Sequence, residues 1–350
     1  GDNGHCGSPD DFTCSNGVDG EAVCAPLDTL ALYALEQKLH NPDEGAYGDQ
    51  LGWSVGVSGN TAIVGAWADS SLSRYAGSAF VFVRSGSTWT LQQKLQNPDP
   101  ETMDDNFGHS VALSGDTAIV GARFDENGEE GGAGSAFVFV RSGTTWSLQQ
   151  KLQNPDPEVG NDWFGDAVAL SGDTAVVGAI LDEQGTLQAG SAFVFVRSGT
   201  SWNLEQKLQN PDVESNGDYL GSALALSGDT VLVGAWSDEN SAPQNTTAAG
   251  SVFVFVRSAV TWSLQQKLVS PDLETAGDAF GISVALDGDT ALVGAHQDEN
   301  GESSNAGSAF VFTRNEAAWS LQQKLQSVDP ESAGDAFGAS VALSGNTALV

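Results

Sequence analysis

Residues 107–152 read FGHSVALSGDTAIVGARFDENGEEGGAGSAFVFVRSGTTWSLQQKL, a stretch of short apolar runs separated by turns. Ser110–Leu113 and Ala118–Val120 flank a Gly-Asp dipeptide, which is typical of a tight hairpin because both residues tolerate a positive φ. Ser135–Val140 is apolar on both faces and predicts a strand that is buried on both sides. Trp146–Leu152 alternates apolar and polar residues and predicts a half-exposed outer strand. The stretch therefore predicts four antiparallel strands and no helix.

The same stretch is repeated along the chain. Its Gln-Lys-Leu motif recurs at intervals of 56 to 60 residues, with the lysine at positions 38, 94, 151, 207, 267 and 324. A Phe-Gly or Leu-Gly pair recurs in register with it, beginning at residues 51, 107, 164, 220, 280 and 337. Four short strands per repeat are typical of a propeller blade, whereas solenoid repeats are usually shorter or contain helix. We predict an all-β fold, a β-propeller of four-stranded antiparallel blades.

The two ends of the chain predict how the ring closes. Residues 20–39 resemble the second half of a blade, and Val350 follows the second predicted strand of the sixth unit. Pairing of the two ends gives six blades, with the closing blade shared by N- and C-terminal strands. Residues 1–19 are then an N-terminal arm, and residues 20–350 form the propeller. Two alternatives stay open: seven blades if the natural chain is longer, or pairing of the half-blade with a neighbouring subunit into fibres.

The composition excludes two classes of partner. The chain has 350 residues with 13 basic and 46 acidic side chains, a formal net charge of −33. Nucleic acids and anionic membranes are bound through clustered Lys and Arg, so neither is expected as a partner. No apolar run approaches the roughly 20 residues that span a bilayer, and we expect no membrane insertion. The polar start at Gly1 predicts either no signal peptide or one that has been removed.

Three cysteines lie near the N-terminus. Cys6 and Cys14 bracket a short loop of Gly, Pro and Asp residues, which suits a local disulfide between them. Because the number is odd, Cys24 is left free or pairs elsewhere. Three free thiols in a cytosolic protein are the alternative.

The repeat resembles the FG-GAP repeat of the integrin α-subunit propeller and of many secreted or surface proteins. The likeness rests on Phe107-Gly108 followed by Val120-Gly121-Ala122, and on six copies in register. It implies a propeller fold and a place outside the cell or at its surface. Integrin-type repeats also have an Asp-x-Asp-x-Asp-Gly calcium loop between the first two strands. Here Ser114–Thr117 is too short for such a loop, so the integrin-type metal sites are not transferred.

Another set of acidic loops, between the second and third strands of each repeat, contains candidate metal ligands. Oxygen-bearing residues alternate around a Gly turn and resemble part of an EF-type calcium loop. The candidates for Ca²⁺ are Asp125, Asn127, Glu129, Asp182, Gln184, Asp238, Asn240, Asp298, Asn300 and Glu302. The alternative is a solvated acidic turn in which Asn-Gly serves the backbone conformation.

Two sets of positions vary where the rest of the repeat is constant, and we expect the first set near the channel mouth. The residues after Phe/Leu-Gly are Trp53, His109, Asp166, Ser222, Ile282 and Ala339. The residues after Gly-Ala are Trp67, Arg123, Ile180, Trp236 and His296. Varied side chains on a uniform scaffold indicate either a binding face or drift at exposed positions.

A glycosylation motif occurs once in the sequence. Asn245 is in the only Asn-x-Ser/Thr sequon and is the candidate glycosylation site.

The sequence contains no motif that indicates catalysis. There is no G-x-S-x-G, His-Glu-x-x-His, phosphate loop or Cys-x-x-Cys, and the four histidines occupy unrelated repeat positions. We expect a non-enzymatic extracellular or cell-surface propeller, an adhesion or structural interaction module with a protein or glycan partner. A filament or sheath subunit joined by strand exchange or by the N-terminal arm is the first alternative. A secreted propeller enzyme that acts on glycans is the second.

Overall fold

The computed structural model describes most of the chain in segments. These are residues 12–16, 22–26, 35–43, 48–98, 104–126, 132–155, 161–185, 187–211, 217–239, 249–271, 277–299, 305–327 and 334–350. Every regular element in them is a β-strand. Accordingly, none of these segments contains a helix of the length and apolarity needed to cross a membrane.

Five four-stranded antiparallel sheets follow one another along the chain. Blade one contains β3 (Val55–Ser58), β4 (Thr61–Ala66), β5 (Ser78–Ser85) and β6 (Thr88–Gln96). Blade two contains β7 (Phe107–Ser114), β8 (Thr117–Ala122), β9 (Ser135–Ser142) and β10 (Thr145–Gln153). Blade three contains β11 (Phe164–Ser171), β12 (Thr174–Ala179), β15 (Ser191–Ser198) and β16 (Ser201–Gln209), with the small hairpin β13 (Glu183–Gln184) and β14 (Leu187–Gln188) in one loop. Blade four contains β17 (Ala223–Ser227), β18 (Thr230–Ala235), β19 (Ser251–Ser258) and β20 (Thr261–Val269). Blade five contains β21 (Phe280–Asp287), β22 (Thr290–Ala295), β23 (Ser308–Asn315) and β24 (Ala318–Gln326).

These sheets confirm the all-β propeller fold and the four predicted strands of each repeat. In blade two the strand order is β10-β9-β8-β7, so each strand pairs with its neighbour in the chain. Ser114 lies opposite Thr117, which places the Gly-Asp dipeptide in the predicted hairpin turn. The first strand is longer than the sequence indicated, because it begins at Phe107 rather than Ser110.

The last unit of the chain contributes two described strands. β25 (Ala342–Ser344) and β26 (Thr347–Leu349) pair with each other as a two-stranded sheet. They correspond to the first two strands of a sixth blade. The closing blade shared by both chain ends is not among the strand pairings of the described segments and stays a prediction.

The N-terminal segment forms a hairpin. β1 (Phe12–Asn16) pairs with β2 (Ala22–Pro26), and residues Gly1–Leu39 with Gly86–Thr88 make one compact unit. The expected third strand of the closing blade overlaps β2, which here pairs with β1. The register places Cys14 opposite Cys24. Cys6 lies outside the described residues, so the Cys6–Cys14 disulfide and the boundary at residue 19 stay predictions.

Consecutive blades pack their sheets against each other through apolar side chains. One core cluster joins Ile63 and Val81 of blade one to Phe107, Phe137 and Trp146 of blade two. The same combination recurs between the later blades. The apolar faces of one sheet are therefore buried by the next sheet, as the repeat pattern predicts.

Close backbone contact between neighbouring blades depends on two glycines. A Cβ atom added to Gly121 would lie 2.0 Å from the carbonyl oxygen of Gly165 in the next blade. Gly165 itself has a φ of 93°, a conformation that glycine adopts without steric cost. The glycine of Gly-Ala therefore leaves room for the backbone of the next blade, and the glycine of Phe-Gly allows the positive φ at that position.

The outer strands are joined by a hydrogen-bonded clamp around a tryptophan. Trp202 Nε1 donates to Gln149 Oε1 at 2.8 Å, and the Trp202 backbone exchanges two hydrogen bonds with the Gln150 side chain. Successive residues of a regular strand point to opposite faces. The register of β10 shifts between Leu148 and Gln150, and this bulge lets both glutamines reach the same neighbouring blade.

We predict that Gly121→Ala lowers the free energy of unfolding by about 2 kcal/mol or more, because the added methyl group overpacks the contact with Gly165. Gly56→Ala is the matched control, since the nearest atom to its added Cβ is a side-chain methyl of Ile63 at 3.2 Å. Urea denaturation of both variants measures the difference. Equal stabilities would show that the blades can separate at no cost.

We predict that Trp146→Ala lowers the free energy of unfolding by about 3–5 kcal/mol, since the ring is 2% exposed and lies between two blades. Trp146→Phe keeps most of the apolar contact and removes only the Nε1 hydrogen bond to Gln92, so its loss is expected to be about 1–2 kcal/mol. Thermal and urea unfolding check both values. A loss under about 1 kcal/mol for the alanine variant contradicts the packing role.

Candidate functional site

The aspartates that begin the predicted calcium loops are buried and paired with lysine. Asp125 is 2% exposed, and its Oδ2 lies 2.8 Å from Lys151 Nζ. Ser135 Oγ donates to the same oxygen at 2.7 Å, and the ammonium group lies 5.5 Å from the centre of the Phe137 ring. The lysine of Gln-Lys-Leu thus neutralises a buried carboxylate. A hard cation would have to displace this lysine in order to bind the carboxylate.

This arrangement recurs at the other predicted loops. The lysine–carboxylate distances are 2.9 Å for Asp182, 2.8 Å for Asp238 and 2.7 Å for Asp298. Gln184 is half-buried on β13, whereas Asn127, Glu129, Asn240, Asn300 and Glu302 lie outside the described residues. Over the described part of the chain, no three His, Cys, Asp or Glu side chains are grouped to hold a metal ion. The described aspartates fit a structural role better than a calcium site, and Ca²⁺ binding by these loops stays a prediction.

A second buried carboxylate accompanies the first in several blades. Burial, together with the nearby carboxylate of Asp182, raises the pKa of Asp162 to about 6. Burial, together with the nearby carboxylate of Asp238, raises the pKa of Asp218 to about 7. An asparagine amide donates to each of them, at 2.8 Å for Asp162 and 2.7 Å for Asp218. Carboxyl groups with pKa values near neutrality are frequent in active sites. Here the group is repeated from blade to blade, which favours a structural role.

Both sets of varied positions lie at one edge of the blades. Phe107, the first residue of β7, is opposite Ala122, the last residue of β8. Residues that follow Phe-Gly and residues that follow Gly-Ala therefore meet at the same edge of each sheet. The contacts below bring members of both sets together in blades one to three, whereas their use as a binding face stays a prediction.

Four rings from blades one and two form a contiguous group, which we call the aromatic surface: Trp53, Trp67, Tyr75 and His109. The ring centres of Trp53 and Trp67 are 5.9 Å apart in an edge-on arrangement, and Trp53 is 5.7 Å from His109. Tyr75 extends the group at 5.9 Å from Trp67. Trp53 is 56% exposed and Tyr75 is 42% exposed, so the group presents large apolar rings to solvent.

Polar side chains fix the base of the aromatic surface. His109 Nδ1 lies 3.1 Å from the backbone carbonyl of Asp166, which only accepts hydrogen bonds, so this nitrogen carries the proton. Burial, together with the charge of Arg123, lowers the pKa of His109 to about 4, and the imidazole is neutral at pH 7. Arg123 donates to the Asp166 carboxylate at 3.2 Å. The histidine is therefore held in one tautomer with Nε2 as an acceptor.

Further aromatic pairs follow along the same edge. Phe124 and Trp163 meet edge-on at 5.2 Å, with the guanidinium of Arg123 over both rings. Tyr219 stacks on Trp236 at 5.2 Å with 19° between the planes. Trp163 and Tyr219 have φ values of 56° and 57°, a left-handed conformation that costs bulky residues about 1–3 kcal/mol. Tyr75 of the aromatic surface shares this conformation, with a φ of 51°, so the fold tolerates strain at three positions where an aromatic ring lies at this edge.

The remaining varied positions are less aromatic. Ser222 donates to the Gly234 carbonyl at 3.3 Å, and Ile180 is buried. Ile282 is half-buried and Ala339 is exposed, while burial lowers the pKa of His296.

Sequence reasoning found Trp53, Trp67, His109, Asp166 and Arg123 as single positions. It missed Tyr75, Phe124, Trp163 and Tyr219, although the aromatic residue before Phe/Leu-Gly in two repeats was an available signal. Asn245 lies outside the described residues, so its glycosylation stays a prediction.

A family model described as FG-GAP repeat matches six segments of the chain. The matched residues are 33–82, 89–139, 146–195, 202–255, 262–312 and 319–350. They cover most of the sequence and confirm the resemblance drawn from the repeated motifs. A comparison with curated proteins gave no match.

We predict that Asp218→Asn makes stability less dependent on pH. The folded-state pKa near 7 lies above the ordinary value of 3.8, so the folded protein holds a proton that the unfolded chain releases between these values. Stability from this group is present below about pH 4 and is lost as pH rises through about 7. The variant should therefore exceed the natural chain in urea resistance at pH 8, with little gain at pH 4. Glu316→Gln, an exposed charge removal, is the control; identical pH profiles for all three proteins contradict the shift.

Proposed function

The chain belongs to the FG-GAP repeat family, and we propose that it is a non-enzymatic adhesion module that acts outside the cell or at its surface. The observation that carries the proposal is the aromatic surface. Its rings stand at positions that vary between otherwise uniform blades, and two of them are exposed. FG-GAP propellers often serve adhesion and ligand binding, which fits this division between scaffold and surface.

The constant residues of the repeat support the proposal because their side chains are used inside the scaffold. The lysine of Gln-Lys-Leu pairs with a buried aspartate, and the two glutamines bind the tryptophan of the next blade. The arginine of blade two, Arg141, lies over Trp146 and donates to Thr61 of the previous blade. A binding role is therefore left to the varied edge, where exposed Trp and Tyr side chains have the composition of interface hot spots.

The titratable groups support a non-enzymatic role. The carboxyl groups with raised pKa values, Asp162 and Asp218, are bonded to asparagine amides in repeated positions. At the aromatic surface, His109 Nδ1 is bonded to a backbone carbonyl and the Asp166 carboxylate is bonded to Arg123. Each of these groups has a packing partner that accounts for its environment.

We predict that beads coated with the protein adhere to cell monolayers or to matrix-coated glass and resist rinsing. The double variant Trp53→Ala with Trp67→Ala should reduce the number of retained beads by at least about tenfold, because it removes the centre of the aromatic surface. Retention is counted as a function of shear.

The control is the double variant Val260→Ala with Leu264→Ala, which removes two exposed apolar side chains from the β19–β20 hairpin of blade four. It should adhere like the natural chain. Retention no greater than that of albumin-coated beads, or an equal loss in both double variants, contradicts the proposed function. Circular dichroism of each variant verifies that the sheets are intact.

A further inference from the structure

Two rings of the aromatic surface and the neighbouring residue Asn106 have buried polar atoms. Among the described residues, no hydrogen-bond partner is present for Trp67 Nε1, His109 Nε2 or Asn106 Oδ1. The His109 side chain is only 10% exposed, yet its ring is in contact with the exposed Trp53 ring. Leaving such atoms without a partner is unfavourable in free energy, because they lose their hydrogen bonds to water. A ligand that reaches them recovers this free energy.

These atoms combine donors and acceptors. Trp67 Nε1 is a donor, and His109 Nε2 is an acceptor because the proton is on Nδ1. Asn106 Oδ1 is a further acceptor, and the backbone N–H of the same residue donates to the Tyr75 carbonyl at 3.0 Å. A hydroxyl group donates and accepts at once, so a ligand with several hydroxyl groups satisfies this mixture.

The charges at this edge favour a neutral ligand. The guanidinium of Arg74 pairs with Asp104 and that of Arg123 pairs with Asp166, so both cations already have partners. The net charge of −33 on the whole chain repels acidic sugars. A cationic ligand is disfavoured too, since Arg74 lies over the Tyr75 ring at 5.7 Å and Arg123 stands beside His109.

We infer that the aromatic surface binds a neutral glycan through one hexopyranose residue. This inference rests on the proposed function and names the chemistry of its partner. The apolar C–H face of the sugar ring stacks on Trp53, as amphipathic ligands do on exposed indoles. Its hydroxyl groups bond to Trp67 Nε1 and His109 Nε2. No covalent step is involved.

The test is binding of the intact chain to immobilised neutral oligosaccharides that end in glucose, galactose, mannose or N-acetylglucosamine. Sialylated and uronic-acid oligosaccharides and dissolved choline are the competing probes. We expect binding to one or more neutral sugars and quenching or shift of tryptophan fluorescence on addition of the free sugar. Trp53→Ala and His109→Phe should each weaken that binding by at least about tenfold. The phenylalanine variant keeps a ring beside Trp53 and removes the acceptor.

Val260→Ala is the control and should leave the sugar affinity unchanged. Trp53→Ala alters an exposed side chain, so it keeps the test decisive even if the buried His109 position does not tolerate replacement. Binding only to acidic sugars or to choline overturns the inference, as does sugar binding that both variants retain. If no neutral sugar binds while bead adhesion still depends on Trp53 and Trp67, the inference of a glycan partner is overturned and the proposed adhesion function is retained. Loss of adhesion itself overturns both.

Discussion

The close approach of neighbouring blades at paired glycines is the constraint on which the rest of the structure depends. A Cβ atom at Gly65, Gly121, Gly178, Gly234 or Gly294 would lie between 1.9 and 2.3 Å from a carbonyl oxygen of the next blade. No side chain is compatible with that distance unless the backbones move apart. Because apolar burial falls steeply once sheets separate, the packing of phenylalanine and tryptophan between blades depends on this contact.

That constraint divides the repeat into a constant part and a variable part. Residues that hold the blades together are bound to partners in the same or the next blade, as Lys151 is to Asp125 and Gln150 is to Trp202. The varied residues, which follow Phe/Leu-Gly and Gly-Ala, lie at the blade edge. A different side chain there leaves the backbone contact between the glycines unchanged. Aromatic residues occur at this edge in blades one to four, including three in a left-handed conformation. The fold thus supplies a rigid support for a surface of variable chemistry.

The acidic composition has two separate physical roles. Buried aspartates form ion pairs and hydrogen bonds within the blades, and burial, with a neighbouring carboxylate, raises the pKa of Asp162 to about 6 and that of Asp218 to about 7. Exposed acidic residues contribute to the net charge of −33, which repels anions. The calcium-like spacing of the loop residues is therefore ambiguous. The same aspartate that begins such a loop, Asp125, is also the partner that Lys151 requires.

Sequence alone determined the strands, their hairpin turns, the propeller fold and the family, because these depend on local alternation and on a period visible in one dimension. It also identified the varied positions at which Trp53, His109 and Trp67 lie. Only the tertiary structure decided which of these residues meet, that Asp125 faces a lysine, and that two consecutive glutamines reach one tryptophan across a bulge. Such contacts join residues that are 14 to 56 positions apart, and their distances are set by how one twisted sheet packs on the next.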